Sequence, residues 1–318
     1  MAEIIGTDAG EVLSGSADAD SIFANGGDDT IYGLEGNDYI IAGDGNDSVS
    51  TGEGNDYVLG LAGSDVVYGE AGDDRLFGMQ GSDRLEGGTG NDFMDGGLDN
   101  DEYSVDSLGD RVMERAAEGY DIVISYTDNY TLAPNVEQLV LASGPGSSAL
   151  KGSGNTLNND IYGNGFDNDL LGNLGNDSIY GGAGNDRVNG NQGNDLLIGE
   201  FGRDTLTGGA GKDMFTFFRP DEGIDTIADF VVVDDVFRLF LTNSGFTGGL
   251  TAGTLKVAQF RIGSRAQDSN DRFIYNKATG ALFFDRDGIG GAAQIQFAKL
   301  SPGLAITNQD VYLDSSIA

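Results

Sequence analysis

Aspartate returns every nine residues in two stretches of the chain, and this spacing is the strongest chemical pattern in the sequence. The first stretch contains Asp20, Asp29, Asp38, Asp47, Asp56, Asp65, Asp74, Asp83, Asp92 and Asp101, and the second contains Asp177, Asp186, Asp195, Asp204 and Asp213. Carboxylates stacked in register repel one another, so a cation must lie between them. Carboxylate and turn carbonyl oxygens in a flexible loop suit Ca2+ better than Mg2+. We therefore predict multiple Ca2+ ions as cofactors and these aspartates as metal ligands.

Aspartate and asparagine also form turns, which is the competing interpretation of this column. Turn formation alone does not explain why Asp keeps one position through ten consecutive units while Asn, Ser and Asp alternate beside it. Two units of the second stretch carry Asn159 and Asn168 at the same position. An amide offers only a neutral oxygen, so we expect weak or absent ion binding at those two units.

The aspartates stand at position six of a nine-residue unit that repeats eleven times between Gly6 and Ser104 and seven times between Gly154 and Thr216. Position four is Gly in eight consecutive units, which indicates a tight turn. Position eight is apolar, as at Ile31 and Val58, and is the centre of a short strand. Because strand neighbours point to opposite faces, this residue faces inward. The period predicts a solenoid in which two units form one coil and coils stack about 4.8 Å apart.

Two units illustrate a resemblance to a known family. Gly69–Phe77 reads Gly-Glu-Ala-Gly-Asp-Asp-Arg-Leu-Phe, and Gly181–Asn189 reads Gly-Gly-Ala-Gly-Asn-Asp-Arg-Val-Asn. Both resemble the nonapeptide G-G-x-G-x-D-x-U-x of the RTX, or haemolysin-type, calcium-binding repeat family. The resemblance implies an all-β fold, a parallel β-roll solenoid of nine-residue calcium-binding repeats in two blocks, with a C-terminal β-rich capping or secretion domain.

Two further segments lack the period, so we predict four regions. Residues 1–104 form the first RTX β-roll block, 105–153 a non-repeat β-rich connecting segment, 154–216 the second block and 217–318 the C-terminal domain. The connecting segment resembles units that continue the stack with wider coils in large secreted RTX chains, and a small independent insert is the alternative. In the last region, the runs 272–275 and 281–284 predict a hairpin, because a turn-rich break separates them.

The last region resembles the C-terminal domain that follows the repeats in serralysin-type proteases and in many type I secretion substrates. The matching residues are Asp225–Phe230, Phe273–Asn276, Thr279–Asp285 and Asp287–Gly288, whereas Val231–Val233 departs from the polar or Gly residues of that family. The final residues 310–318 are acidic, apolar and small, as such signals often are. The resemblance implies a secreted, extracellular protein with the type I (ABC) secretion machinery as a partner.

Composition narrows the function classes. The formal charge of −35, from 52 acidic and 17 basic residues, makes nucleic acid and anionic membranes poor partners. The absence of Cys and His excludes disulfides, thiolate metal sites and catalytic centres built on those residues. The N-terminus has no basic and apolar leader, and no apolar run approaches the ~20 residues of a membrane helix. We therefore expect neither a cleavable signal peptide nor a transmembrane segment.

Other candidate sites are weaker. Regularly spaced carboxylates favour ions over the single acid–base pair of a glycosidase, so we predict no enzyme activity. The segment 285–290 resembles part of an EF-hand loop, but Gln296 stands where that loop needs Glu, and an ordinary turn is the preferred interpretation. Outward aromatic residues such as Tyr39 and Tyr57 leave a polysaccharide-binding strip open, although the sequence displays no regular ladder.

We therefore interpret the chain as a secreted calcium-binding repeat protein with a binding or structural role outside the cell. One alternative is an accessory repeat module of a secreted enzyme of the alginate epimerase or serralysin type. Another is an adhesin or a surface-layer component that contacts cell-surface or extracellular polysaccharide.

Overall fold

A computed structural model describes residues 2–144, 147–148, 150–241 and 245–315. The last three residues of the predicted secretion signal, 316–318, lie outside the described part. The chain divides into two compact units, Met1–Ala149 and Leu150–Ala318. Among the described residues, no helix is long and apolar enough to cross a membrane.

The first unit is built from short strands. They are β1 (Glu3–Ile5), β2 (Val12–Ser14), β3 (Ser21–Phe23), β4 (Thr30–Glu35), β5 (Tyr39–Asp44), β6 (Ser48–Glu53), β7 (Tyr57–Ala62), β8 (Val66–Tyr68), β9 (Arg75–Gln80), β10 (Arg84–Glu86), β11 (Phe93–Leu98), β12 (Glu102–Val105), β13 (Arg111–Met113), β14 (Ile122–Ser125), β15 (Asn129–Thr131), β16 (Gln138–Leu141), β17 (Ser143–Gly144) and β18 (Ser147–Ser148). Odd strands β1 to β13 form one parallel sheet, and even strands β2 to β16 form a second.

The register between strands gives the coil length directly. Ile31 of β4 pairs with Val49 of β6, and Ile40 of β5 pairs with Val58 of β7, so equivalent residues lie 18 positions apart. One coil therefore consists of two nine-residue units, with one strand in each sheet. This arrangement confirms the predicted parallel β-roll.

Position eight supplies the core of each coil. Its side chains from Ile22 to Tyr103 are fully buried, as are those from Ile161 to Phe215 apart from a trace of exposure at Val188. Position one is the second inward residue, because the strand continues past position nine and Gly60 is buried two residues after Val58. A single large and a single small inward residue per strand allow the two sheets to pack closely.

The glycine at position four is required for two reasons, which Gly193 illustrates. Its φ of +143° lies in a region that L side chains rarely adopt. A Cβ there would also lie 1.6 Å from the carbonyl oxygen of Gly175, one coil earlier. Any side chain would therefore force the turns of adjacent coils apart.

The segment after the first block continues the stack with altered spacing. Strand β14 pairs in parallel with β12, matching Val123 to Tyr103 at a separation of 20 residues. Strand β16 then pairs in parallel with β14, matching Leu139 to Val123 at a separation of 16 residues. The coils thus continue although the nonapeptide pattern has ended. Only fragments of the predicted loop 143–148 lie in the described residues.

The second unit repeats the architecture and adds a β-rich cap. Its strands are β19 (Lys151–Ser153), β20 (Asp160–Tyr162), β21 (Asp169–Leu174), β22 (Ser178–Ala183), β23 (Arg187–Gln192), β24 (Leu196–Phe201), β25 (Thr205–Ala210), β26 (Met214–Phe217), β27 (Asp225–Ile227), β28 (Val236–Phe240), β29 (Gly253–Thr254), β30 (Phe260–Ile262), β31 (Phe273–Asn276), β32 (Ala281–Phe284), β33 (Ile295–Lys299) and β34 (Val311–Asp314), with 3-10 turns at Val257–Gln259 and Asn308–Asp310.

The cap covers the open end of the second roll. Strand β34 pairs with β28 and strand β33 with β27, so both sheets gain a further strand beyond the repeats. The predicted hairpin is present, with β31 antiparallel to β32 and Phe273 opposite Phe284. Phe297 of β33 packs against Phe217 at the end of the repeats, with ring centroids 5.1 Å apart.

We expect Gly193→Ala to lower the free energy of unfolding by about 1–3 kcal/mol, because it places a side chain in a strained backbone region. The matched control is Gly165→Ala, where a Cβ meets nothing within 4 Å. That change should stay within about 0.5 kcal/mol. Denaturant titration of both variants in saturating Ca2+ measures the difference. Equal stability of the two variants would contradict this account of position four.

Candidate metal centres

Every predicted ligand aspartate is almost completely removed from solvent. The exposed fraction of the fifteen position-six aspartates is between 1 and 3%. Charged side chains are rarely buried this far without a partner of opposite charge. The short turn before each strand imposes this burial, because position six precedes the inward apolar residue by two positions and therefore points to the same side.

One carboxylate oxygen of each aspartate has a structural role. The backbone N–H of a position-six residue donates to Oδ1 of the aspartate one coil later, as in Asp47 to Asp65 at 2.8 Å and Asp65 to Asp83 at 2.7 Å. The same bond recurs in the second unit, where the Asp177 N–H donates to Asp195 at 2.9 Å. These bonds form one file along each edge of the roll.

The second oxygen has no such role in most of the turns. Oδ2 is buried and lacks a hydrogen-bond partner among the described residues in Asp29, Asp38, Asp47, Asp56, Asp65, Asp74, Asp83, Asp92, Asp101, Asp177, Asp186, Asp195, Asp204 and Asp213. A buried carboxylate oxygen without a partner is costly. The structure thus places fourteen of the fifteen predicted ligands in the same unsatisfied state.

Asp20 is the exception among the predicted ligands. Its Oδ2 accepts hydrogen bonds from both the backbone N–H and the hydroxyl of Ser16, each at 2.7 Å. Hydrogen bonds from the Ala2 N–H and from Ser16 lower the pKa of Asp20. The carboxylate is therefore satisfied by its own turn, and a cation is not needed to stabilise it.

The asparagine units have the same closed turn. The Asn155 N–H donates to Oδ1 of Asn159 at 2.7 Å, and the Asn164 N–H donates to Oδ1 of Asn168 at 2.8 Å. In each case position two bonds to position six of the same unit. This geometry agrees with the expectation that Asn159 and Asn168 contribute little to ion binding.

The backbone at position two separates closed turns from open ones. In all fourteen open turns this residue has a positive φ, including non-glycine residues such as Leu34, Leu61 and Met79 at 86–88°. Ser16, Asn155 and Asn164 are not among the positive-φ residues. A left-handed non-glycine residue costs about 1–3 kcal/mol and persists where the surroundings compensate for it. We interpret the left-handed turn as the conformation that keeps Oδ2 available to a ligand.

The surroundings of the open oxygen contain further oxygens. A Cβ built on Gly60 would lie 2.3 Å from Oδ2 of Asp65 and 2.8 Å from the carbonyl oxygen of Gly78. Position one is therefore small because the carboxylate oxygen occupies the space beside it. Carboxylate and carbonyl oxygens are the donors that hard divalent cations prefer, so the residues present fit Ca2+.

Burial disfavours the ionised form of these carboxyl groups when no cation is bound, and so raises their pKa. It raises the pKa of Asp65 from an ordinary value of 3.8 to about 7, and hydrogen bonding from Asp47 offsets only part of that effect. The same cause raises the pKa of Asp177 to about 7 and that of Asp101 to about 8. Because the folded carboxyl holds its proton more tightly than the unfolded one, the metal-free roll loses stability as the pH rises from about 4 to 7.

Four aspartates outside the repeats extend the hydrogen-bonded files. The Asp92 N–H donates to Asp110 and the Asp101 N–H to Asp121, at 3.0 and 2.9 Å. In the second unit, the N–H groups of Asp204 and Asp213 donate to Asp225 and Asp235, both at 3.1 Å. Sequence reasoning missed these residues because the spacing changes from 18 to between 20 and 22 in three of the four. The feature of the sequence that could have identified them is an Asp two residues before an inward apolar residue.

The EF-hand-like segment behaves as a turn. Oδ1 of Asp285 accepts the backbone N–H groups of Asp287 and Gly288, at 3.2 and 2.9 Å. That pattern is the usual way in which Asp stabilises a tight turn. It agrees with the preferred interpretation of this segment.

Comparison with known proteins identifies the repeats. The family model for the RTX calcium-binding nonapeptide repeat matches residues 5–40, 32–67, 68–103, 153–188, 162–197 and 189–216, which together span more than half of the chain. These repeats bind Ca2+, and several copies are present. The solution structure of the AlgE6R3 subunit from the Azotobacter vinelandii mannuronan C5-epimerase is 26% identical, with a TM-score of 0.30, over 48% of this chain and 83% of that chain. No curated protein matches the sequence.

We predict that Asp65→Asn weakens Ca2+ binding and that Asp20→Asn does not, although both residues occupy position six. In both variants, Asn keeps an oxygen that accepts the N–H of the preceding coil. The lost charge belongs to an open turn in Asp65→Asn and to a closed turn in Asp20→Asn. Asp65→Asn should bind fewer Ca2+ ions and lose about tenfold in apparent affinity, or ~1.4 kcal/mol. Calorimetric Ca2+ titration of the full chain measures both quantities. Equal losses in the two variants would refute the distinction between open and closed turns.

Proposed function

Because the chain belongs to the RTX calcium-binding nonapeptide repeat family, we propose that it is a secreted protein. Its repeats fold when Ca2+ binds after type I export, and it has a non-catalytic binding or structural role outside the cell. The observation that carries this proposal is the file of buried Oδ2 atoms without hydrogen-bond partners among the described residues. We take the fourteen open-turn aspartates as the ligands.

Coupling between Ca2+ and folding follows from charge. The chain has a net charge of −35, and the fold buries many of its carboxylates. Along each edge of the roll, aspartates that are 18 residues apart in the sequence are brought into adjacent coils. In an unfolded chain these groups stay hydrated and separate, so self-repulsion favours the expanded state. A cation that binds only the folded turns contributes its binding free energy to folding.

The full chain should therefore be largely unfolded in chelator and β-rich in Ca2+. Circular dichroism and small-angle scattering during a Ca2+ titration measure secondary structure and radius together. Mg2+ at the same ionic strength is the control, because screening alone would act with either ion. If the chelated chain keeps the β signal and the melting temperature of the Ca2+-loaded chain, the proposed coupling is wrong.

Export before folding is consistent with this chemistry. Cytosolic Ca2+ is scarce, so the proposed state inside the cell is the extended chain, which suits a narrow channel. The C-terminal residues resemble the end of type I substrates. The same residues have a structural role once folded, because β34 pairs with β28 and Arg238 forms an ion pair with Asp314 at 2.5 Å. We propose that this segment is read first as a signal and then becomes the final strand.

Deletion of residues 310–318 should leave the protein inside a producing cell that has a type I exporter. The control is Val311→Ala with Leu313→Ala, which weakens the buried side of β34 but keeps the segment. We expect that control to reach the medium. Fusion of residues 217–318 to a passenger should export the passenger. If the truncated chain reached the medium in the same amount as the full-length chain, the C-terminal signal would be ruled out.

The alternative roles predict different partners. An accessory module of a secreted enzyme would act beside a catalytic domain, and co-expression with a neighbouring reading frame would restore an activity. An adhesin or surface-layer component would instead bind cell envelopes in the presence of Ca2+. In either role, the regularly repeated carboxylates support ion binding. They do not single out one pair of carboxylates as the acid and base of a catalytic site.

A polysaccharide partner is favoured by an aromatic strip on the first unit. Phe23, Tyr39, Tyr57, Phe77 and Phe93 follow one another across five strands, with ring centroids 6.2, 5.4, 5.2 and 5.6 Å apart. The sequence obscures this ladder because its members do not share one position of the unit: Tyr39, Tyr57 and Phe93 stand at position seven, and Phe23 and Phe77 at position nine. Because Tyr39 stacks on Tyr57 and the other neighbours are tilted by 37–55°, the strip offers a row of ring edges and tyrosine hydroxyls to successive sugar rings.

Tyr39→Ala with Tyr57→Ala should abolish Ca2+-dependent retention on a neutral polysaccharide column while leaving the Ca2+ count unchanged. The matched control is Tyr162→Ala with Tyr180→Ala, which removes an isolated stacked pair with centroids 4.7 Å apart in the second unit. Retention that both pairs reduce equally, or that neither reduces, would exclude the strip as the binding surface.

A further inference from the structure

Three buried carboxylates meet at the end of the first repeat block. Asp101, Glu114 and Asp121 each offer an oxygen, and these oxygens lie within 4.8 Å of one another. The exposed fractions of the three residues are 2, 6 and 1%. Within the described ranges, no other group of three such side chains meets this spacing. Asp101 and Asp121 belong to the hydrogen-bonded file of the repeats, whereas Glu114 does not, so the repeat pattern alone does not explain the cluster.

Glu114 occupies a place where the repeats of the first block carry glycine, alanine or, once, threonine. Strand β11 pairs with β13 so that Asp95 lies opposite Met113, and the next pair in that register is Gly96 and Glu114. Gly96 is position one of its unit, where a Cβ would lie 2.1 Å from Oδ2 of Asp101. In the following coil the equivalent position therefore supplies a carboxylate on the side where the repeats keep an open oxygen.

The glutamate is held in place by an unusual core residue. Position eight of the last unit is Tyr103, and its hydroxyl donates a hydrogen bond to Oε1 of Glu114. The Gly96 N–H in turn donates to the Tyr103 oxygen at 2.7 Å. Oε2 of Glu114 and Oδ2 of Asp101 are buried and lack a hydrogen-bond partner in the described part of the chain.

Among the described residues, no Lys or Arg forms an ion pair with this cluster. Arg115, the residue after Glu114, pairs with Asp95 at 2.7 Å and with Glu118 at 3.4 Å. Three carboxylates concentrated in a dry space need a cation, and a hydrogen-bond network among themselves supplies only part of the compensation. An all-oxygen donor set selects a hard divalent ion.

We propose that Asp101, shared with the last repeat turn, forms a three-carboxylate Ca2+ site with Glu114 and Asp121 and that this site closes the first repeat block. Its ion joins the turn between β11 and β12 to the turn between β13 and β14, one coil later. Affinity for Ca2+ rises with the number of charged ligands, so this site fills before the repeat turns. It ties the last repeat coil to the first coil without the nonapeptide pattern.

Glu114→Gln tests the site on the full chain, because Gln keeps the acceptor for Tyr103 and removes the charge. Equilibrium dialysis with metal analysis should find one Ca2+ fewer per chain and loss of the tightest binding step. Asp121→Asn should remove the same ion, and the double variant should lose no more than either single variant. Glu53→Gln, at an exposed glutamate, should bind the wild-type number. A wild-type count and first affinity in Glu114→Gln would overturn the proposal.

Tyr103→Phe gives a second readout that keeps all three carboxylates. With Tb3+ as the probe ion, tyrosine excitation should sensitise strong emission from this site, because the Tyr103 hydroxyl contacts Glu114. The first equivalent of Tb3+ should therefore lose most of its emission in Tyr103→Phe. Tyr312→Phe, at a residue with 43% exposure, is the control. Unchanged first-equivalent emission in Tyr103→Phe would show that the site is not occupied, even if Glu114→Gln failed to fold. A negative result for the three-carboxylate site would leave the proposed Ca2+ binding by the other repeat turns standing, so the two proposals can fail independently.

Discussion

The structure depends on a carboxylate whose two oxygens have different environments. Oδ1 accepts a hydrogen bond from the preceding coil, as between Asp47 and Asp65 at 2.8 Å, and so sets the stacking of coils. Oδ2 points into the turn and lacks a protein partner among the described residues. The first bond makes the file of aspartates an element of the fold, and the second oxygen is the atom on which the proposed dependence of folding on Ca2+ rests. In this proposal, the stability of the fold and the binding of Ca2+ depend on the same side chain.

The remaining features of the unit follow from this arrangement. Position one stays small because a Cβ at Gly60 would meet Oδ2 of Asp65. Position two adopts a left-handed backbone in the open turns, even as leucine or methionine. Position four is glycine because the turns of adjacent coils touch there. Position eight fills the narrow interior with a single side chain. The small apolar surface of each repeat supports the proposal that an ion holds the turns.

Much of this was predictable from the sequence, because the period encodes it. The inward file from Ile22 to Tyr103, the 18-residue coil and the aspartate positions follow from a nine-residue repeat and the alternation of strand side chains. The closed turn at Asp20 was not predictable, because it depends on the backbone at Ser16, and the residue type alone does not fix that φ. Asp121, Asp225 and Asp235 were missed because irregular loop lengths interrupt the count. Asp110 keeps the 18-residue spacing from Asp92 but lies beyond Ser104, where the nonapeptide pattern ends. Glu114 joins Asp101 only through the pairing of β11 with β13, a relation that no local motif contains.

The most direct test is to locate the ions. Crystals of the Ca2+-loaded full chain should give anomalous scattering peaks beside Oδ2 of the open-turn aspartates in both units, and no peak beside Asp20. Ions found only at exposed carboxylates such as Asp44, with water or a protein donor beside Oδ2 of Asp65, would contradict the claim that the unsatisfied oxygen is the calcium ligand.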